Sequence, residues 1–328
     1  MKCNFLYISC LVCFLLQSCA PKVSESYDEK NGYTGSISIS GAFALYPLAV
    51  LWAEDYKKTN PNLRFNISAG GAGKGIADVL TDMVDIGLVS RDLHPQELEK
   101  GALPIHVAKD AVIGTVNSKH PDIDLIKKRG FTQEELQQIF LEGKFKNWNE
   151  IDSRFSNIAI EVYVRSDAAG AAETWAKFFG GNQEDLKGIG IFGDPGLAQA
   201  IKENPKAIGF NNLNYVFDLK TKKTSENIVA IPIDLNKNGK IDADEAFYEH
   251  LDSLTHAVAT NVYPSPPARD LTFVIRSNKQ SNLLKDFIRF ILNDTEQSYL
   301  LENGYVPLDK ETIIKELEKL NASELQVN

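Results

Sequence analysis

Cysteine is missing from nearly all of this 328-residue sequence. The four cysteines, Cys3, Cys10, Cys13 and Cys19, all lie within the first 19 residues. The rest of the chain therefore folds without disulfides and without thiol chemistry. Cys19 is the one cysteine for which we expect a use in the mature protein.

Histidine is scarce as well, which bears on whether the chain is an enzyme. The five histidines follow no metal-ligand spacing and no nucleophile motif: His94, His106, His120, His250 and His256. A paired-metal phosphatase needs clustered histidine and aspartate ligands. Ser166 and Asp167 are adjacent in sequence, which is not the arrangement of a catalytic triad. We therefore predict no enzymatic activity.

Positive charge is also in deficit, with 35 lysines and arginines against 44 aspartates and glutamates and a formal net charge of -9. Such a balance argues against a surface for nucleic acid. It does not exclude a small anion, because a few oriented N–H groups and one arginine can outweigh a distant net charge.

Long hydrophobic runs are limited to the N-terminus, where "FLYISCLVCFLL" follows Lys2 and precedes "LQSC". The run is too short to span a bilayer stably, and its order of charge, apolar core and small residues is typical of a secretory signal over residues 1–19. The ending resembles a lipobox, in which Cys19 is acylated, although Gln17 is not a typical lipobox residue. The alternative is an ordinary cleaved signal that releases the protein. Residues 20–34 are polar and predict a tether between membrane and domain.

The remaining residues show a repeated order of strand and helix. "SISIS" leads into "YPLAVLWAEDYKK", "LRFNIS" into "GIADVLTDM", and "AIEVYV" into "AAETWAKFFG". This order predicts an α/β sheet with parallel crossovers, and the length favours two lobes. The chain should cross between lobes near "IHVAKDAVIGTVN" and again near "YPSPPARD". We expect one lobe from residues 35–108 and 268–328, and the other from 109–267.

Glycines follow a strand and precede a helix in "SAGGAGKGI", Ser68 to Ile76. Because the first N–H groups of a helix lack internal partners, an anion can bind at such a start. A Walker motif is excluded, since Ser68 stands where the first glycine belongs and Gly75 replaces the Ser or Thr that binds magnesium. An ordinary turn between strand and helix remains an equal interpretation.

A second helix start follows Arg165 in "YVRSDAAGAAETW", Tyr163 to Trp175. Here a guanidinium, which can hold an oxyanion with two hydrogen bonds, joins the free N–H groups of the helix. An arginine by itself more often forms a surface ion pair. Beside a helix start rich in glycine and alanine, Arg165 is a candidate ligand-binding residue.

Taken together, these segments resemble the phosphate-binding proteins of ABC phosphate importers, the PstS-like branch of the periplasmic binding proteins. The resemblance covers nearly all of the mature chain and rests on "ISGAFALYPLAVLWAEDY", "SAGGAGKGI", "DIGLVSRDL", "IFLEGKFKNW" and "VRSDAAGAAETW". It implies two α/β lobes, a two-strand hinge, a phosphate buried in the cleft between the lobes, and a monomer that serves an ABC permease complex.

The resemblance also implies a set of phosphate-binding positions: Ala42, Phe43, Ala44, Ala72, Gly73, Ser90, Arg91, Arg165, Ala169, Gly170 and Ala171. Several hydroxyl groups of the family are absent, because alanine stands at positions 72, 169 and 171 where the family commonly has serine or threonine. Backbone N–H groups survive any side-chain change, so an oxyanion can still bind, with charge from Arg165 and Arg91.

Ser90 stands where better-studied members of that family have an aspartate. A carboxylate accepts the proton of hydrogen phosphate and repels sulfate, whereas a serine cannot repel by charge. Asp92 and Asp167 lie near the predicted pocket and are candidates for that role, but each is equally suited to pair with a neighbouring arginine. The identity of the oxyanion therefore stays open.

The segment "DLNKNGKIDADE", residues 234–245, has the spacing of an EF-hand calcium loop. The ligand positions are filled by Asp234, Asn236, Asn238, Lys240 through its carbonyl, Asp242 and Glu245. A strand-like segment precedes it and a helical pattern, "AFYEHLDSLTHAV", follows, so we predict a strand, loop and helix insertion that holds one structural Ca²⁺. The alternative is a metal-free surface turn rich in Asx residues.

These features predict a lipid-anchored protein of the cell envelope that captures phosphate and delivers it to an ABC importer. Only the lipid would contact the membrane, and no nucleic acid is involved. The alternative is a lipoprotein that senses or displays an oxyanion without feeding a transporter, with another tetrahedral oxyanion as its ligand.

Overall fold

The protein is described here by a computed structural model over residues 25–322. The strands are β1 Ser26–Asp28, β2 Gly32–Gly41, β3 Leu63–Ala69, β4 Ile86–Val89, β5 Ala102–Val116, β6 Glu161–Arg165, β7 Ile189–Ile191, β8 Ala207–Asn212, β9 Val229–Ala230 and β10 Ala268–Arg276. The helices are α1 Tyr46–Thr59, α2 Ala72–Leu80, α3 Pro95–Glu99, α4 Ile123–Arg129, α5 Gln133–Gln137, α6 Gly170–Phe178, α7 Gly193–Glu203, α8 Leu213–Val216, α9 Leu251–Ala259, α10 Asn282–Ile291, α11 Asp294–Ser298 and α12 Lys310–Ala322.

The sheet consists of two parallel regions joined by antiparallel strands. Strand β2 pairs in parallel with β3 and β4, and β6 pairs in parallel with β7 and β8. Between these regions, β10 runs antiparallel to β4 and β5, and β5 runs antiparallel to β8. The predicted α/β class and the two-lobed fold are confirmed.

Two hydrophobic cores lie on either side of the strand pair β5 and β10. The first core contains Trp52 and Phe287, and the second contains Trp148 and Trp175. Along β5 the side chains up to Ala108 pack in the first core and those from Ala111 onward pack in the second. The chain returns along β10, where Ala268 belongs to the second core and Leu271 to the first. We call these two cores lobe 1 and lobe 2, and the β5 and β10 pair the hinge.

Helix α2 lies very close to the strands of lobe 1, and a glycine permits this. A methyl group built on Gly75 would stand 2.6 Å from the carbonyl oxygen of Leu88 and 3.0 Å from the Cα of Gly41. Contact at this distance brings the N-terminus of α2 to the carboxyl edge of β2 and β4. That edge faces lobe 2.

The N-terminal part of lobe 1 differs from the sequence prediction. Residues 20–34 were expected to be a tether, but within the described residues β1 pairs with the start of β2 in an antiparallel hairpin. The Asp28 carboxylate accepts hydrogen bonds from the backbone N–H groups of Lys30 and Asn31, and Gly32 has a φ of 66°. The aspartate at the start of this turn and the glycine at its end, with a positive φ, allow the chain to reverse tightly. Polar composition alone does not reveal such a turn. The predicted signal and Cys19 lie outside the described residues.

Among residues 25–322, no helix is both long enough and apolar enough to cross a membrane.

Candidate ligand site between the lobes

Loops from both lobes meet where the carboxyl edges of the two parallel regions face each other. The backbone N–H of Gly73, in the first turn of α2, donates to the carbonyl oxygen of Ala168 in lobe 2 at 3.1 Å. The Tyr215 hydroxyl donates to the carbonyl oxygen of Phe43 in lobe 1 at 3.1 Å. The glycine loop and the segment after β6, which the sequence analysis singled out separately, therefore lie against each other.

A buried arginine, Arg165, lies at this meeting point, at the end of β6. Its Nε and one terminal nitrogen donate to the two oxygens of Asp167 at 2.8 and 2.5 Å, and its other terminal nitrogen donates to Asp194 Oδ2 at 2.6 Å. The Arg165 side chain is 1% exposed. The ring centroid of Phe43, from lobe 1, lies 5.4 Å from the guanidinium carbon, within cation–π distance.

The two carboxylates together carry more charge than the guanidinium of Arg165 that they bind. Burial lowers the pKa of Arg165, but the negative charges of Asp194 and Asp167 more than compensate, so its pKa lies above the ordinary value. Burial raises the pKa of Asp194, opposed by Arg165 and by Arg269. The immediate surroundings of Arg165 are therefore negative by about one charge when both aspartates are ionised.

A second buried ion pair, between Arg269 and Asp110, lies in the hinge. The sequence did not predict it. Arg269 on β10 lies opposite Asp110 on β5, with a terminal nitrogen 3.4 Å from Asp110 Oδ2. Burial raises the pKa of Asp110 to about 6 in spite of Arg269. The signal available in the sequence was a charged residue in each apolar crossing segment, "AKDAV" and "PARDL". Asp194 was missed because an aspartate in the first turn of a helix is common at any helix start.

The alanines among the predicted binding residues contribute through their backbone only. Their methyl groups pack in the lobe cores: Ala42, Ala44 and Ala72 in lobe 1, and Ala169 and Ala171 in lobe 2. The N–H of Ala169 donates to Gln183 Oε1 at 2.9 Å, so it has a partner within the protein. In α6, the first turn after Ala169 begins with Gly170 and Ala171, whose N–H groups have no partner within the helix.

Arg91 is paired with a carboxylate of its own lobe, so the charge expected to serve the pocket already has a partner. Its terminal nitrogens donate to the two carboxylate oxygens of Glu97 at 2.9 and 2.7 Å, and to the carbonyl oxygen of Asp92. The capping carboxylate of the short helix α3 thus neutralises this arginine inside lobe 1. Asp92 is exposed near Lys177, whereas Asp167 is the ion-pair partner of Arg165.

Residues 234–245 form a loop whose first and last carboxylates are both buried, with Asp234 and Glu245 each 3% exposed. Asp234 accepts from the backbone N–H groups of Asn238 and Gly239 at 3.1 and 2.8 Å. Glu245 accepts from the N–H of Leu235 at 2.8 Å. The two ends of the loop are thereby held over its own backbone.

The middle carboxylate of this loop has other partners. Asp242 accepts from Lys240 and from the side-chain amides of Asn236 and Asn238, and these hydrogen bonds, led by that of Lys240, lower its pKa to about 2. Within the described part of the chain, no three histidine, cysteine or carboxylate groups converge as a metal site. The loop fits calcium by the number and type of its oxygen donors, and binding would require Asp242 to exchange Lys240 for the cation.

The flanks of the loop match the predicted strand and helix in part. On the N-terminal side, β9 Val229–Ala230 lies within the predicted strand-like segment but ends before the loop, and Ile233 forms an isolated bridge with Phe131. On the C-terminal side, α9 begins at Leu251, so residues 246–250 are not helical. Phe247 and Tyr248 stack on each other at 4.5 Å and are buried in lobe 2, which favours an irregular segment over a helix at this point.

Comparison with known proteins identifies a family and several relatives of this chain. A family model described as "PBP superfamily domain" matches residues 28–295. The phosphate-binding protein PstS of Bacillus subtilis is 27% identical over 289 residues, which cover 87% of this chain and 85% of that protein. The phosphate-binding protein PstS of Methanocaldococcus jannaschii is 26% identical over 341 residues, with 88% and 86% covered.

Among solved structures, a putative phosphate ABC transporter substrate-binding protein with bound phosphate from Clostridium perfringens has the same fold. Its TM-score is 0.69 at 23% identity, with 84% of this chain and 100% of that chain covered.

The close approach of the lobes at Gly170 provides a test of this arrangement. A methyl group built there would overlap the oxygens of Ser90 and stand 2.7 Å from its carbonyl carbon in lobe 1. We expect Gly170→Ala to cost about 1–3 kcal/mol against closure, since neither backbone can easily move. Small-angle scattering should show a larger radius of gyration than for the unmodified protein. Gly190→Ala is the control, because the atoms nearest to that methyl group belong to Ser166 of the same lobe. Identical scattering for all three proteins would contradict the observed contact.

Proposed function

This chain belongs to the PBP superfamily, and from that membership we propose that it captures inorganic phosphate between its lobes and delivers it to an ABC importer. It is a binding protein and not an enzyme. The names of its PstS relatives support phosphate as the ligand, and the name of the structural neighbour from Clostridium perfringens supports an ABC transporter as the partner.

The observation that carries the proposal is the buried guanidinium of Arg165 at the contact between the lobes. An arginine has five N–H donors, and its hydrogen bonds to Asp167 and Asp194 use three of them. Among residues 25–322, Asp167 and Asp194 are the hydrogen-bond partners of the Arg165 guanidinium. Its two remaining N–H groups can therefore donate to a ligand. The first-turn N–H groups of α6, at Gly170 and Ala171, supply further donors from the same lobe.

The negative charge around Arg165 favours phosphate over sulfate. Hydrogen phosphate carries a proton that Asp167 or Asp194 can accept, whereas sulfate carries none and meets only repulsion from the carboxylates. In this proposal Asp167 and Asp194 discriminate phosphate from sulfate, which Ser90 cannot do. Preferential binding of sulfate or of another tetrahedral oxyanion would favour the alternative ligand instead.

We further propose that the mature protein is anchored to the envelope membrane by a lipid on Cys19. The support is the "LQSC" ending of the signal, together with the short polar stretch before β1. Mass spectrometry of the N-terminal peptide should find a diacylglyceryl cysteine, and Cys19→Ala should move the protein to the soluble fraction. An unmodified N-terminus at any other residue would exclude the anchor.

We also propose that the loop over residues 234–245 holds one structural calcium ion. Three carboxylates, two amides and the Lys240 carbonyl are the oxygen donors that calcium prefers, at EF-hand spacing. The need to displace Lys240 from Asp242 and the absence of a paired loop in the sequence suggest modest affinity, about 10⁻⁴ to 10⁻³ M. Bound calcium then stabilises lobe 2 by mass action.

The phosphate proposal predicts a dissociation constant of micromolar order or tighter, about -8 kcal/mol or better, by calorimetry on the desalted protein. Arg165→Ala should cost about 2–5 kcal/mol of binding, because it removes a charged donor from a closed site. Ala169→Ser and Ala171→Thr, at the same helix start, should be neutral or helpful. Normal phosphate binding by Arg165→Ala would place the site elsewhere, and no phosphate heat at millimolar concentration would refute the ligand.

The calcium proposal predicts a rise in melting temperature with calcium but not with magnesium, reversed by a chelator. Glu245→Ala should abolish the rise, but it also removes an acceptor for three backbone N–H groups. Asp242→Asn therefore serves as a second variant that removes a ligand charge from a partly exposed position. Asp244→Asn, the same change at a non-ligand position of the loop, should leave the calcium response intact. No rise in the melting temperature of the unmodified protein with calcium would argue for a metal-free turn.

A further inference from the structure

Arg165 is one end of a chain of buried polar contacts that leads to the hinge. Asp194, which accepts from Arg165, also accepts from the side-chain amide of Asn212, at 2.7 Å. The amide oxygen of Asn212 in turn accepts from Arg269 on β10. Arg269 faces Asp110 on β5. The five side chains connect the candidate ligand site with the two strands that join the lobes.

The hinge end of this chain lies at the crossing point between the two cores. Asp110 and Arg269 are direct neighbours across the strand pair, between the side chains that belong to lobe 1 and those that belong to lobe 2. The whole residues Asp110 and Arg269 are 2% and 9% exposed. Any rotation of the lobes about these strands therefore acts directly on the backbone that carries the pair.

Asn212 is the connecting element, and an amide suits the position because it is both donor and acceptor. Its nitrogen donates to a carboxylate on one side, and its oxygen accepts from a guanidinium on the other. An aspartate here would repel Asp194, and an apolar residue would leave a buried carboxylate and a buried guanidinium with one partner fewer each. Such a loss is expensive in a medium of low dielectric constant.

Arg269 also reaches the helix that supplies backbone donors to the site. A terminal nitrogen of Arg269 lies 3.4 Å from the hydroxyl of Thr174 on α6. The hinge arginine thus contacts the helix that follows Arg165 in the chain, and through Asn212 and Asp194 it is linked to Arg165 itself.

We propose that Asn212 and the Arg269–Asp110 pair are positioning residues that act through Asp194 on the ligand site. They hold the Arg165 guanidinium in a fixed orientation relative to the hinge, so that closure brings the loops of lobe 1 onto a donor that is already aligned. The inference rests on the proposed function, since it takes Arg165 to be the residue that holds the oxyanion.

If Asn212 had a purely structural role, its replacement would lower stability without a specific effect on phosphate binding. A variant of the neighbouring Asn211 distinguishes this role from a positioning role. Asn211 lies on the same strand, is 0% exposed and accepts a hydrogen bond from Thr115 at 2.8 Å. Successive side chains of a strand point to opposite faces, so Asn211 faces away from Asn212. Asn211→Leu is therefore a matched control for Asn212→Leu, with the same chemical change at an equally buried site.

The experiment is phosphate calorimetry and thermal unfolding of both variants and of the unmodified protein. We expect Asn212→Leu to weaken phosphate binding about tenfold, within the range by which side chains outside a site alter affinity. Asn211→Leu should lower the melting temperature but bind phosphate as the unmodified protein does. Equal affinities for the two variants, either unchanged or equally weakened, would overturn the proposed role.

A second measurement needs no ligand. Arg165→Met and Asn212→Leu each remove a partner of Asp194, so their shifts in melting temperature should not add in the double variant. The shifts of Arg165→Met and Asn211→Leu should add. Additive shifts in both pairs would overturn the inference even if phosphate binds well. If the unmodified protein binds no phosphate, the proposed function fails, while the double variants still decide whether Asn212 acts on Arg165.

Discussion

The burial of one positive charge at the contact between two lobes governs much of this structure. A guanidinium withdrawn from water needs partners in fixed geometry. Arg165 obtains them from Asp167, two residues away, and from Asp194 in the first turn of α7. The two carboxylates carry more negative charge than Arg165 neutralises. Arg269, which is linked to Asp194 through Asn212, supplies a second positive charge. The result is a set of two arginines and three aspartates whose net charge is about -1 when all are ionised. Such a set suits an anion that can donate a proton.

The contact between the lobes depends on small residues at a few positions. Gly73 and Gly170 face Ala168 and Ser90 across the boundary, at distances that exclude any larger side chain on the glycines. At Gly193, which has a φ of 73°, a methyl group would stand 3.1 Å from the Phe43 ring. The start of α2 lies against lobe 2, with the N–H of Gly73 donating to the carbonyl oxygen of Ala168 across the boundary. In the proposed site, the backbone N–H groups at the start of α6 would supply polar donors without hydroxyl side chains, which is compatible with alanines at this helix start.

Local patterns predicted the fold and the position of Arg165, because both depend on neighbouring residues in the chain. The order of strand and helix around α1, α2 and α6 is evident from periodicity, and Arg165 is adjacent to its helix start. The pairing of Asp167 with its neighbour Arg165 could also be anticipated. The other ion pairs could not, since Arg165 and Asp194 are 29 residues apart and Asp110 and Arg269 are 159 apart. Arg91 shows the same limit in reverse. It lies beside the predicted pocket in sequence, but Glu97 six residues later binds its guanidinium. Adjacency in sequence does not determine the direction of a long side chain.

The central claim, that Arg165 and the start of α6 hold phosphate between closed lobes, is tested most directly by a crystal structure of the protein grown with phosphate. The account predicts one tetrahedral ion between the lobes, with oxygens within hydrogen-bonding distance of the Arg165 guanidinium and of the N–H groups of Gly170 and Ala171. Phosphate bound away from Arg165, or lobes closed on Arg165 and its aspartates with no room for an ion, would contradict it.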